Sequence, residues 1–235
     1  MPSYNAEKFI AASIQSVIGQ TYRNWELLIT DDCSKDDTVK IVEQFLEKDN
    51  RIKLFSTGKN SGPACARNKS LENATGKYIA FLDSDDWLDE KACEDAYNEI
   101  TKQSADCLMF SYTKEFGNHC IINHIFEKEY FVWNKEDVMN KFHRRLFGLI
   151  GEELACPQDG DLIVSACMQL YRTDNFKDIR FVDTKIIGTE DCWYQILLYQ
   201  HCDKFVYIDK PYYHYLRIND SSLTTKFNPH LYSRW

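Results

Sequence analysis

Apolar and polar positions alternate along this chain in two rhythms. Over residues 9–18, FIAASIQSVI places Ile10, Ile14, Val17 and Ile18 on one stripe, the pattern of an amphipathic helix opening near Asn5. WELLIT is a short apolar strand, and TVKIVEQFLEK returns to helical spacing with Val42, Phe45 and Leu46 on one face. IKLFST reads as the next strand. SGPACARNKSLENAT reads as a helix with Gly62-Pro63 at its start, where the missing N–H of proline does no harm. KYIAFL, DEKACEDAYNEITKQ and DCLMFSYT continue as strand, helix and strand. This alternation predicts βαβ units, hence an α/β fold with a mostly parallel central sheet and helices on both faces.

After residue 113 the rhythm changes. NHCIINHIFEKEYFVW predicts a hairpin or irregular strands, and KEDVMNKFHRRLFG a helix. SACMQLYR is strand-like, DCWYQILLYQ helical, and KFVYIDKPYYHYL one or two strands. No repeat, low-complexity tract or long linker separates the parts. Two regions are therefore expected, 1–113 and 114–235, packed as one domain.

A chain of 235 residues can bury a sizeable core, in keeping with one domain. The net charge of −8 argues against a nucleic-acid binder, which needs a basic surface. Nine cysteines without a C-x-x-C pair suit free thiols in a reducing cytoplasm rather than a zinc site. No stretch nears eighteen apolar residues, and Glu7 and Lys8 interrupt the place where a signal peptide needs an apolar run. The opening MPSYN and the closing HLYSRW both read as abrupt, as if cut.

Polar clusters follow the predicted strands: PSYN, DDCSKDD after WELLIT, GKNSG after LFST, and DSDD after KYIAFL. Ligands of open parallel sheets bind beyond the carboxyl ends of the strands, so these clusters converge on one edge. Asp83, Asp85 and Asp86 would repel one another there unless something relieves them. They either cap the following helix or share a hard divalent cation with a ligand's phosphates.

Together, PSYNAEKFIAASIQSVIGQTYRNWELLITDDCSKDDT, NSGPACARNKSL, GKYIAFLDSDDWL and TEDCWYQILL resemble the motifs of family 2 glycosyltransferases, inverting enzymes of the nucleotide-binding GT-A fold. The resemblance covers most of residues 1–225 and is strongest over 1–100. It implies that region 1–113 binds a nucleotide-sugar and that 114–235 holds the acceptor and the catalytic base. Pro2, Tyr4 and Asn5 would form the turn around the nucleotide. Asp32 would accept the N3–H of uracil, while Gly62, Arg67 and Asn68 would lie beside ribose and diphosphate. Asp83 falls where the family contacts ribose or metal, Asp85 where it binds metal directly, and Asp86 is the least suited to be a ligand. Asp191 would be the general base, with Glu190 in support. His214, Arg217 and Ser222 match a segment that closes over the diphosphate, His214 as a further metal ligand.

The implied activity is transfer of one sugar from a nucleotide diphosphate, expected to be UDP, to a carbohydrate or lipid-linked hydroxyl with Mn²⁺ or Mg²⁺. The Q-x-x-R-W pattern of processive members is missing, since SRW at the terminus lacks its context. Cell-surface polysaccharide or glycolipid assembly is the usual setting, at the cytoplasmic face of the membrane. That setting allows peripheral membrane association, although no basic amphipathic helix proves it. Oligomeric state is left open. Two rivals are a sugar nucleotidyltransferase, whose Gly-rich basic loop PSYNAEKF does not match, and a non-catalytic nucleotide or glycan binder, against which Asp83, Asp85 and Asp191 argue.

Overall fold

The computed structural model describes residues 1–155 and 163–218. A first sheet is wholly parallel: β1 (Pro2–Ser3), β2 (Leu27–Asp31) and β3 (Ile52–Ser56) lie side by side in that order. The intervening helices are α1 (Ile10–Ile18), which buries Ile10, Ile14 and Val17, and α2 (Thr38–Leu46), which buries Thr38 and Val42. α3 (Pro63–Asn73) follows β3, opening at Pro63 behind Gly62.

α1 starts later than expected because Asn5 is not helical. Its φ of 49° is left-handed, a conformation asparagine tolerates better than most residues. Its N–H donates to Ser34 Oγ at 2.9 Å and its Oδ1 accepts from Lys35 N–H at 2.8 Å. Asn5 thereby stitches the turn after β1 to the turn after β2.

A second sheet is mixed. Its centre is a parallel pair, β6 (Cys107–Glu115) and β10 (Lys204–Leu216). β7 (Cys120–Asn123) and β9 (Gln169–Arg172) pair antiparallel with β6. β5 (Trp87–Leu88) and β8 (Tyr130–Asn134) pair antiparallel with β10, and β4 (Tyr78–Ile79) closes the β9 edge. α4 (Ala92–Gln103) runs between β5 and β6.

Several expectations are corrected in detail. The strand expected over KYIAFL shrinks to Tyr78–Ile79 and pairs antiparallel, because β9 lies between it and β6. Parallel pairing is thus divided between the first sheet and the β6–β10 pair. β7 and β8 do not form a hairpin with each other; one joins β6, the other β10. KFVYIDKPYYHYL is a single strand whose register against β6 shifts between Ile208 and Tyr213, around Pro211, which has no N–H for the ladder. The helix expected over 135–148 is irregular: α5 (Lys135–Asp137), a π-helical turn Val138–Phe142, then a 3-10 turn His143–Phe147. The wide turn sets both Val138 and Phe142 in the core, where the Phe142 ring lies 4.2 Å from that of Tyr199.

Among the described residues a 3-10 turn, Gly151–Ala155, and two further α-helices, α6 (Thr173–Phe176) and α7 (Glu190–Tyr199), follow. Residue 113 falls inside β6, so both regions share the second sheet. An aromatic floor also joins them. Phe181 and Tyr194 stack at 3.9 Å with 3° between planes, and Phe81 meets both edge-on at 5.2 and 5.8 Å. Phe81 stands two residues before Asp83, and Tyr194 three after Asp191, so this floor carries the acids of both regions.

Candidate active site

Arg67, on α3, is 5% exposed and gathers three carboxylates. Its Nη2 donates to Asp83 Oδ1 at 3.0 Å; its Nη1 donates to Asp191 Oδ1 at 3.0 Å and Glu190 Oε1 at 3.3 Å. The guanidinium lies 5.3 Å from the centre of the Phe181 ring. Burial alone would discharge an arginine, but Asp191, Asp83 and Glu190 outweigh it and hold its pKa well above the ordinary value.

The acids respond in kind. Burial pushes Glu190 up to about 7, the Asp191 charge adding to the rise and Arg67 opposing it. Burial likewise raises Asp191, against the pull of Arg67. Both acids sit in the first turn of α7, where backbone N–H groups favour negative charge. Asp191 Oδ2 also accepts from Ala166 N–H at 3.4 Å. A half-buried carboxylate with a raised pKa is suited to taking a proton near neutrality.

The three acids of DSDD have three different surroundings. Asp83 is half-buried and turned to Arg67. Asp85 is half-buried. Asp86 is 2% exposed, accepts from Tyr213 O–H at 2.5 Å and from Leu216 N–H at 2.9 Å, and so ties this turn to β10. Burial, with the Asp83 and Asp85 charges, raises its pKa to about 8. Tyr213 is a site residue that no motif marks in the sequence; its hydroxyl oxygen also accepts from Asp83 N–H at 3.3 Å. Ala166 and Phe181 were missed as well, since an apolar residue offering backbone or ring carries no motif.

Several expected ligand residues have structural partners instead. Both ends of the Asn68 amide are taken by Phe181, donating to its C=O at 2.8 Å and accepting from its N–H at 2.9 Å. Asn68 therefore holds the floor by both ends of its amide. The Arg67 fork, expected on phosphate, is spent on carboxylates; among the described residues its buried Nε meets no acceptor. Gly62 was expected to admit a ligand. It has φ of 90°, and a Cβ there would stand 2.9 Å from Thr184 Oγ1, so the close approach is to the protein's own second region.

Asp32 is 3% exposed and clamps the 57–62 loop. It accepts from Thr57 Oγ1 at 2.7 Å, from Ser61 N–H at 2.8 and 3.0 Å, and from Gly62 N–H at 2.7 Å. Pro2 is buried in β1, while Tyr4 beside it is 47% exposed. His214 Nδ1 meets Glu115 Oε1 at 2.8 Å, and its ring stacks on Trp87 at 5.2 Å. Arg217 donates to Tyr215 O–H at 3.1 Å, one residue beyond the Leu216–Asp86 bond. Ser222 lies outside the described residues.

Among the described residues no group of three or more His, Cys, Asp or Glu side chains is arranged to hold a metal, so the expected Asp83–Asp85–His214 set is not assembled. The physical reason is visible at two of its members: Asp83 is drawn to Arg67 and His214 to Glu115. No helix of the described residues is long and apolar enough to cross a membrane.

The comparisons with known proteins agree with this architecture. The family model described as Glycosyl transferase family 2 matches residues 1–180. Glycosyltransferase GlyA of Streptococcus pneumoniae is 32% identical over 226 residues, 95% of this chain and 31% of the relative. The UDP-Glc:alpha-D-GlcNAc-diphosphoundecaprenol beta-1,3-glucosyltransferase WfgD of Escherichia coli is 47% identical over 124 residues, 52% of this chain and 45% of the relative. The chain thus spans less than half the length of these two relatives. The crystal structure of S. aureus TarS 1–349 in complex with UDP superposes with a TM-score of 0.74 at 26% identity, covering 92% of this chain and 59% of that one. The fold is the GT-A fold, and the chain belongs to glycosyltransferase family 2.

Proposed function

We propose that this chain transfers a single sugar from a UDP-sugar to a hydroxyl of a carbohydrate or lipid-linked acceptor, with inversion. The observation that carries this reading is the convergence of Asp83 from the first region and Glu190 and Asp191 from the second on the buried Arg67. The names of relatives support the donor and acceptor: TarS is bound to UDP, and WfgD is named for UDP-Glc and a diphosphoundecaprenol-linked sugar.

In this reading Asp191 takes the acceptor O–H proton as the oxygen bonds to the sugar's anomeric carbon and the bond from that carbon to the diphosphate breaks. Such a base contributes roughly 10²–10⁴-fold. Glu190 and Arg67 orient it. Arg217 is the cation for the departing diphosphate, and the unmatched Nε of Arg67 is a donor for a ligand oxygen. For uracil, Asp32 is the acceptor of the N3–H: three donor groups make four bonds to it, and the N–H of Ser61, shared between both oxygens, is the one that can give way.

Mn²⁺ or Mg²⁺ fits the donor set. Asp83 and Asp85 offer hard oxygens on one turn, and such ions are usually completed by substrate phosphates rather than a full protein cage. His214, held by Glu115 through Nδ1, is left out of this pair. When bound, the ion would neutralise charge on the diphosphate.

Release of UDP from a panel of UDP- and GDP-sugars, with and without acceptor, tests the proposal. Acceptor-dependent UDP release is expected. A nucleotide bound without turnover would instead mark a binding module, and pyrophosphate-dependent formation of nucleoside triphosphate would mark a nucleotidyltransferase.

A further inference from the structure

α7 buries Tyr194, Ile196, Leu198 and Tyr199, and among them a glutamine, Gln195, that is 0% exposed. It stands one turn beyond Asp191 on the same face of the helix. Its Nε2 donates to Ser165 C=O at 2.7 Å and to the Tyr171 hydroxyl at 3.1 Å. Its Oε1 is buried and, among the described residues, meets no donor. Packing alone does not select such a side chain, since an apolar residue of similar volume fills the space without an unmet acceptor. What the glutamine adds over methionine is its hold on Ser165 and Tyr171.

That hold belongs to a closed ring. Tyr171, on β9, donates its O–H to Ala166 C=O at 3.1 Å while accepting from Gln195. Gln169, also on β9 and fully buried, donates to the same Ser165 C=O at 2.8 Å, and its Oε1 accepts from the Tyr199 hydroxyl of α7. Two residues of β9 and two of α7 thus grip the turn at Ser165 and Ala166. Within the turn, Cys167 N–H is spent on Ser165 Oγ at 3.2 Å, and Ala166 N–H points to Asp191 Oδ2 at 3.4 Å. A bond this long is kept only while the turn stays in place.

We infer that Gln195 is a positioning residue for the candidate base: through Ser165 and Tyr171 it holds Ala166 N–H against Asp191 and so sets the orientation of the carboxylate. Arg67 fixes Oδ1, and Ala166, on the other oxygen, stops the carboxylate from turning about that first contact. Gln195 touches neither donor nor acceptor; it acts through the turn. Its catalytic meaning rests on the proposed role of Asp191, whereas the ring of hydrogen bonds does not.

Gln195→Met tests this, because it keeps the volume and removes the unmet oxygen. Ser165 C=O keeps Gln169 and the Tyr171 O–H keeps Ala166, so no buried group is newly unmatched and the thermal midpoint should equal or exceed the parent's. The kcat for acceptor-dependent UDP release should nevertheless fall by about tenfold or more, with KM for the donor unchanged. In Asp191→Asn, where the Ala166 bond is already lost, the same substitution should change kcat by less than about twofold. The Ala166 amide, followed by NMR, should exchange with solvent faster in Gln195→Met than in the parent, a readout that needs no transfer. Where Gln195→Met fails to fold, Tyr171→Phe removes one hydroxyl from the same ring and should lower kcat in the same way. Parental kcat in the folded variant overturns the proposal, as does a raised donor KM. An equal loss with and without Asp191 also overturns it, assigning Gln195 to general architecture. A parent without transfer, or an Asp191→Asn that transfers normally, overturns the proposed function instead. Ala166 exchange then decides the positioning alone, and an unchanged rate overturns that too.

Discussion

Arg67 Nη1 donates to Asp191 Oδ1 at 3.0 Å across 124 residues of sequence. The same nitrogen also reaches Glu190, and its twin holds Asp83. One buried cation therefore fixes the relative position of the acids that would meet donor and acceptor. It also moderates their mutual repulsion, since three carboxylates this close cannot all stay charged without a partner.

Asp191→Asn separates chemistry from architecture. The amide keeps the shape and its one oxygen can still accept from Arg67, at the loss of the longer bond from Ala166 N–H, but it cannot take a proton. Transfer should fall by roughly 10²-fold or more while UDP affinity and thermal midpoint remain near parental. Near-parental transfer would move the base elsewhere, with Glu190 the first place to look.

Arg67→Met should be costly to the fold itself. Removing one partner of a fully buried ion pair costs about 3–5 kcal/mol, and the loss should be smaller here because Asp83 is partly solvated. Arg67→Lys keeps the charge but not the two-pronged geometry, so it should recover thermal midpoint more than transfer rate. Calorimetry and initial rates on both variants check this; equal recovery of both properties by Lys would show that charge alone matters.

The raised acids set a pH dependence with a definite sign. Glu190 and Asp86 lie at about 7 and about 8 when folded, above their ordinary values of 4.5 and 3.8. The stability they contribute is full below those ordinary values and is lost as pH rises through the folded ones. The metal-free parent should therefore melt lower at pH 8 than at pH 5, and Asp86→Asn should flatten that difference. Transfer should run the other way, rising with pH as the Glu190–Asp191 pair loses its proton. Glu190→Gln should move that rise to lower pH, because a neighbouring negative charge is gone.

Asp85 tests the cation. UDP titrated calorimetrically with Mn²⁺, with EDTA, and with Mn²⁺ on Asp85→Ala should bind well only in the first case. Equal affinity in all three would remove the metal from the reading.

Asp32 tests the base. UDP should be preferred over CDP, which lacks the N3–H donor, and Asp32→Asn should erase the preference. The substitution also weakens the clamp on Thr57, Ser61 and Gly62, where each buried group left unmatched costs about 1–3 kcal/mol. A preference that survives in Asp32→Asn assigns uracil recognition to other groups.

Periodicity in the sequence by itself determined α1 to α4, β2, β3, β6 and α7, because the stripe of Ile10, Ile14 and Val17 or the apolar run of β2 is a local property. It also set the DSDD turn after an apolar run and two acids at the start of α7. Tertiary structure alone decided what those residues do. Asp85 and Asp86 are the same side chain one position apart, yet only Asp86 meets Tyr213 and Leu216, more than a hundred residues away. Asn68 looks like a ligand residue until Phe181 takes both ends of its amide, and Arg67 looks like a phosphate fork until α7 arrives. Helical and strand patterns are fixed by neighbours in the chain. Ion pairing and proton affinity depend on burial and on distances through space, which exist only once the two regions have closed around Arg67.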